Sequence, residues 1–235
     1  MHLFLLQIGD AAKRLTDSTS TSINKIGSEA HMNIFDLLYN GGVLMVPLAL
    51  LLVLAIFFFF ERYIAIKNAS RMDPNFMNMI RDNVTTNNIS AARSLAKNTN
   101  NAVAKIIDKG LQRIGKPIDS IEKSMENVGR LEVYKMEKNL SVLSLVYGIA
   151  PMFGFLGTIF GMLQLFYNIN ATGEFTPAAI AGGIYTKMIT SATGLIIGLL
   201  GYVAFTFLNS QITKTVNKME VASAEFIDIL LEPTR

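Results

Sequence analysis

The sequence predicts an all-α membrane protein with three transmembrane helices, the second and third extended into a helical cytoplasmic domain. Composition is the first reason: 51% of the 235 residues are hydrophobic and the mean hydropathy is +0.37, more apolar than one soluble core requires. Second, residues 43–60, 140–167 and 177–208 are apolar stretches, each long enough to supply the roughly 18–20 residues that cross a hydrocarbon core of about 30 Å. Third, the segment between the first two stretches is polar, with apolar residues at helical spacing.

The elements follow in order. Residues 1–42 form an N-terminal arm, apolar over residues 1–8, polar and rich in Ser and Thr over 9–29, with an amphipathic stretch at 33–39 that suits a helix lying along the membrane before Gly41-Gly42. The apolar start is short for a signal peptide and lacks a basic lead, so an arm is favoured over a cleaved segment. The first transmembrane helix occupies 43–61. Its Pro47 sits near the outer end, where a missing N–H costs little, and Glu61-Arg62-Tyr63 reads as an interface anchor.

Residues 62–138 form a helical insert. Asp73-Pro74 suits a helix start, Asn87-Asn88 and residues 98–101 suit turns, and Gly115-Lys116-Pro117 ends one helix and launches another. Ile118, Ile121, Met125 and Val128 then make a stripe at spacings of three and four. No strong breaker separates this stripe from the second transmembrane helix at 139–168, so a single helix from residue 118 to 168 of about 75 Å is expected. A polar hairpin at 169–176 leads to the third span at 177–208, and residues 209–235 form an amphipathic C-terminal helix.

Charge orients these elements. The insert carries 14 Lys and Arg, and the hairpin at 169–176 carries none. Positive-inside reasoning places the insert and the C-terminus in the cytoplasm, with the N-terminal arm and hairpin on the periplasmic side. In the insert acids alternate with bases, which argues against a nucleic-acid surface.

Enzyme chemistry finds little footing. The chain has no Cys, and its two histidines, His2 and His31, precede the first span and make no metal-binding spacing. Neither a Walker A loop nor a GxSxG elbow occurs, and no cofactor is implied.

The polar content of the spans is the informative part. None of the three stretches contains Asp or Glu. A path for protons across a membrane normally needs an intramembrane ionisable relay, so its carboxylate would have to come from another protein. The chain supplies hydroxyls instead: Thr158 in the second span, and Thr186, Thr190, Ser191 and Thr193 in the third. Thr186 and Thr190 share one helix face, and Lys187 and Ser191 form the adjacent stripe. These hydroxyls suit either a polar pore lining or hydrogen bonding to backbone and neighbouring helices. Gly154, Gly157, Gly161, Gly194, Gly198 and Gly201 include two GxxxG spacings, at 157/161 and 194/198, which read as close helix packing. Lys187 is the one charged side chain within the spans. At about 15 Å from the start of its helix, it must snorkel outward, face water, or pair with an acid, the last calling for a partner helix.

The run Ala150-Pro151-x-x-Gly154-x-Leu156-Gly157-Thr158-x-x-Gly161-Met162, with Gly183-Ile184 and Ala192-x-Gly194-Leu195 in the third span, resembles the ExbB/TolQ/MotA proton-channel family, and within it the ExbB branch. The resemblance covers about residues 33–211. It implies an inner-membrane stator in which five copies surround a dimer of ExbD-like single-span helices whose intramembrane Asp carries the proton. Transport down the proton gradient then energises a TonB-like protein and, through it, outer-membrane receptors. Carried over by position, Thr158 matches the family's second-span Thr, and Ser191 stands where a third-span Thr is usual. Where ExbB often has a third-span Glu, this chain has Thr186 followed by Lys187. A TolQ-like role in envelope integrity, another MotA-type motor stator, sodium in place of protons, and a passive membrane scaffold stay open. A solute transporter is disfavoured by the absence of an inverted repeat.

Overall fold

The computed structural model describes residues 43–173 and 176–231, without the side chains of Ala178, Ala179 and Thr186. The arm at 1–42, with its expected interfacial helix, lies outside the described residues. The helices are α1 (Met45–Ser70), α2 (Phe76–Thr85), α3 (Ile89–Asn98), α4 (Ala102–Leu111), α5 (Ile118–Glu137), α6 (Leu140–Thr172) and α7 (Pro177–Leu231). Among the described residues, three helical stretches, containing α1, α6 and α7, are long and apolar enough to cross a membrane. The chain is thus an all-helical, multi-pass membrane protein.

The membrane part is a three-helix unit in which α1 packs against α6 and α7. Met45, Leu48, Leu51 and Ala55 of α1 are buried with Val146 and Ala150 of α6 and Ile197 of α7. Outward-facing residues are apolar too, among them Val53, Phe155, Leu163, Leu195 and Leu199, each at least 59% exposed. Helices apolar on all sides need lipid or further helices as solvent.

Beyond the spans, α2–α5 pack against the ends of α1 and α7 around a second core that includes Phe76, Ile80, Ile107, Met125, Leu143 and Phe226. Turn chemistry sets the entry to each short helix. Asn88 caps α3 by accepting from the Ala91 amide, at 3.3 Å, and Asn101 caps α4 by accepting from the Ala104 amide, at 2.6 Å. At Asp73-Pro74 the expected helix start is displaced. Asp73 instead makes a turn, its carboxylate accepting from the Asn75 amide at 2.9 Å, and α2 begins at Phe76, the first of its buried residues.

A larger departure is a break between α5 and α6, where a single helix from 118 to 168 is expected. Asn139 takes the left-handed conformation, with φ of 63°, which Asn tolerates better than most residues. Arg62, only 7% exposed, holds the break: its Nη1 donates to the Lys135 carbonyl at 3.1 Å, and its Nη2 pairs with Glu61. Glu61 in turn accepts from Asn139 Nδ2 at 3.4 Å. Glu61 and Arg62 of the triplet expected to anchor the membrane interface therefore make a partly buried clasp. Nearby, Glu132 on α5 takes ammonium hydrogen bonds from Lys105 at 3.0 Å and Lys135 at 2.6 Å. Burial disfavours its charged form, but the two lysines outweigh burial and hold the carboxyl below its ordinary range.

The extension expected of the third span is present: α7 continues without interruption past residue 208, and at 55 residues it is about 82 Å long. Leu208, Ile212, Thr215, Met219, Ala222, Phe226 and Ile229, all 4% exposed or less, repeat at alternating spacings of four and three. One buried stripe therefore carries the helix from the membrane into the second core, and no Gly or Pro between 202 and 231 interrupts it.

Candidate functional site

Thr158, Thr190, Lys187 and the glycines singled out in the sequence meet at the contact between α6 and α7. The two helices run antiparallel, and Gly173 caps the end of α6 in the left-handed region at φ of 69°, its amide donating to the Ile169 carbonyl at 2.9 Å. Along the seam each step of three or four residues on α6 meets a step of three or four back along α7. Gly198 lies against Pro151, Gly194 against Ala150 and Gly154, Thr190 against Gly157, and Lys187 against Gly161.

Several of these contacts are too close for any side chain. A β-carbon added to Gly194 would stand 2.6 Å from the Ala150 carbonyl oxygen and 2.7 Å from Gly154 Cα. One added to Gly154 would stand 3.0 Å from the Ser191 carbonyl oxygen. Here backbone meets backbone, the approach that small residues permit in membranes. Gly157 and Gly161 serve differently, leaving room for side chains from α7: the Thr190 methyl and the Lys187 methylenes occupy the space that a β-carbon would need. Pro151 removes the amide that would bond the Tyr147 carbonyl, and that carbonyl faces Gly198 at 3.3 Å from the added carbon.

The polar groups sit on this frame. Thr158 Oγ1 lies 3.4 Å from two acceptors, the Gly154 carbonyl in its own helix and the Lys187 carbonyl across the seam. Thr193 donates to the Ile189 carbonyl at 2.9 Å. Thr190 is 1% exposed, enclosed where α6 and α7 meet, while Ser191 and Lys187 are partly open. The side chain of Thr186 is outside the described residues, so its stripe with Thr190 is seen only at Thr190. Among the described residues, no acid forms an ion pair with Lys187.

The seam as it stands offers hydroxyls, one ammonium and close backbones, and no carboxylate in any apolar stretch. The sequence reading missed Tyr147, whose backbone lies against Gly198 and Gly201 and whose ring meets Tyr202 edge-on at 5.6 Å. Its signal was available: it stands four residues before Pro151, where a proline frees a carbonyl.

The same stretch is what related proteins share. Residues 98–221, more than half of the chain, match the model of the MotA/TolQ/ExbB proton channel family. That match runs from the end of α3 through the seam into the C-terminal half of α7. The chain is 24% identical over 189 residues to an ExbB homologue for biopolymer transport from Methanothermobacter thermautotrophicus, covering 80% of this chain and 67% of the relative. It is 24% identical over 196 residues to an ExbB-like biopolymer transport protein of Synechocystis, covering 82% of this chain and 77% of the relative. The biopolymer transport protein ExbB of Xanthomonas campestris is 24% identical over 115 residues, 49% of this chain and 46% of its own. With two of its three apolar helices, α6 and the membrane part of α7, and the glycine-lined seam between them inside the matched region, the chain belongs to the MotA/TolQ/ExbB proton channel family.

Proposed function

We propose that this chain is an ExbB-like stator subunit of a motor in the bacterial inner membrane, driven by the proton-motive force. In this reading several copies, five by likeness to ExbB, form a pore around ExbD-like single-span helices. An intramembrane Asp on those helices carries the proton, and the resulting movement energises a TonB-like protein for transport across the outer membrane. The observation that carries the reading is the seam's polar inventory: hydroxyls and one cation where α6 and α7 meet, with no carboxylate in the apolar stretches. Thr158, Ser191, Thr186 and Lys187 line the ion path, with Thr190 behind them, and Gly154, Gly157, Gly161, Gly194 and Gly198 hold the helices in register. The arm at 1–42 and the segment at 169–176 face the periplasm; the insert at 62–138 and the C-terminal part of α7 face the cytoplasm. The 14 basic residues of the insert support this orientation.

A specific observation favours a second reading, a passive scaffold. Thr158 and Thr193 already have backbone acceptors, as packing hydroxyls do. Proton uptake by liposomes holding the purified complex separates the two. Thr158→Ala is expected to slow uptake roughly five- to tenfold, the equivalent of one lost hydrogen bond, with the complex still assembled. Uptake at the wild-type rate in an assembled Thr158→Ala complex favours the scaffold. Lys187→Ala and Lys187→Met are each expected to alter uptake or assembly, and wild-type behaviour in both removes Lys187 from the path.

A further inference from the structure

Where α1 leaves the apolar run it forms a pocket with α7 of about 500 Å³. Tyr63, Lys67, Ser70 and Arg71 line one side, Phe207 and Gln211 the other, over the buried Ile66 and Leu208. The Tyr63 and Phe207 rings stack at 6.3 Å, and Lys67 Nζ sits over the Tyr63 ring, 5.8 Å from its centre. Two cations enter the pocket, and among the described residues no acid lines it. The two nearest acids in sequence are engaged elsewhere: Glu61 pairs with Arg62, and Asp73 accepts from the Asn75 amide. The outer wall is fixed: Asn101, 2% exposed, donates to the Arg71 carbonyl at 2.9 Å, tying the end of α1 to the insert.

Depth is what gives the pocket a ligand. The unbroken apolar run of α1 ends at Phe60, so the Tyr63–Phe207 pair sits where aromatic residues gather at a membrane boundary. Lys67 is about 6 Å beyond Tyr63, and Arg71 about 12 Å, against a headgroup layer about 5–8 Å deep on each side of a bilayer. Counted from Phe60, Tyr63 is about 5 Å out, Lys67 about 10 Å and Arg71 about 16 Å. The aromatic pair thus lies at the headgroup level and the two cations outside it, their long side chains able to reach back to a lipid phosphate. The last turn of a helix favours cations by itself. That preference accounts for the charges, but not for a pocket between them that is floored by apolar side chains and flanked by the hydroxyl of Ser70 and the amide of Gln211.

We propose that this pocket binds the phosphate headgroup of an anionic phospholipid. Lys67 and Arg71 pair with the phosphate, Ser70 and Gln211 bond its oxygens, and the start of an acyl chain lies on Tyr63 and Phe207. The site requires only that α1 and α7 cross a bilayer, so it stands or falls separately from the proton path.

The test uses the full chain, purified with whatever partners it retains, stripped of lipid in mild detergent and titrated while its melting temperature is followed. Phosphatidylglycerol is expected to raise the melting temperature saturably, and phosphatidylcholine is not. Lys67→Ala/Arg71→Ala is expected to need roughly tenfold more phosphatidylglycerol. Ser70→Glu, which keeps both cations and sets an acid between them, is expected to weaken binding similarly, while Lys97→Ala/Lys116→Ala, outside the pocket, titrates like wild type. Inorganic phosphate distinguishes the sources of the same chemistry: a full shift with phosphate alone overturns the lipid assignment. Equal midpoints for wild type and the pocket variants, or equal effects of the two lipids, overturn the site.

Discussion

A Gly194→Val chain is expected to lose the membrane half of its fold, with little protein recovered from the membrane and none that melts like wild type. The atoms that a new β-carbon would meet are the Ala150 carbonyl oxygen at 2.6 Å and Gly154 Cα at 2.7 Å. Both are backbone, so no flexible side chain can move aside, and α6 and α7 must separate. Separation spoils the whole seam: the Thr190 contact with Gly157, the Lys187 stem on Gly161, and the Thr158 approach to the Lys187 carbonyl, already long at 3.4 Å. Overpacking of this kind costs about 3 kcal/mol or more, a large share of the stability of an ordinary domain. Gly148→Val is the matched control, because a β-carbon there has no neighbour within 4 Å. Equal yield and melting temperature for the two variants would contradict the seam geometry.

Removing the guanidinium of Arg62 is expected to have the next largest effect. Arg62 is 7% exposed and serves two groups that lie at the α5–α6 break or beside it, the Lys135 carbonyl and the Glu61 carboxylate. In Arg62→Ala the carbonyl loses its donor and Glu61 its close partner. Breaking a fully buried ion pair costs about 3–5 kcal/mol. Because the Glu61 side chain is 35% exposed, solvent recovers part of that, and about 2 kcal/mol is expected here. Arg62→Lys restores less than its charge suggests, since one ammonium cannot reproduce the planar fork that spans both acceptors. Thermal unfolding in detergent reads the difference. A melting temperature for Arg62→Ala within 1–2 °C of wild type, less than a loss of that size produces, would show that the break is held by packing alone.

These two predictions also mark where the sequence was legible and where it was not. The spans, the stripe from Ile121 to Met125 and the small-residue motif were readable because each signal is local. Hydrophobic period and GxxxG spacing need only a few neighbouring residues, and Gly154, Gly157, Gly161, Gly194 and Gly198 all lie at the contact. The clasp was not readable. Arg62 reaches Lys135 and Glu61 reaches Asn139 across 73 and 78 residues, and nothing in the local pattern of Glu61-Arg62-Tyr63 separates an interface anchor from a buried pair. The α5–α6 break hangs on one residue, Asn139, in a backbone conformation that Asn permits without requiring. The extension of α7 was legible too, because the apolar stripe from Ile212 onward follows the third span with no Gly or Pro between them. For the hydroxyls the limit is chemical. Thr158 bonded to a backbone carbonyl and Thr158 facing an ion path present the same residue in the same motif.

The central claim is that the carboxylate this chain lacks is supplied by another chain. It is tested most directly by extracting the protein from its native membrane in mild detergent and identifying what comes with it. The account predicts a small single-span protein with an Asp inside its apolar span, held in an oligomer of this chain. A homo-oligomer without such a partner, recovered after equally gentle extraction, would contradict it and leave the seam between α6 and α7 as a packing surface.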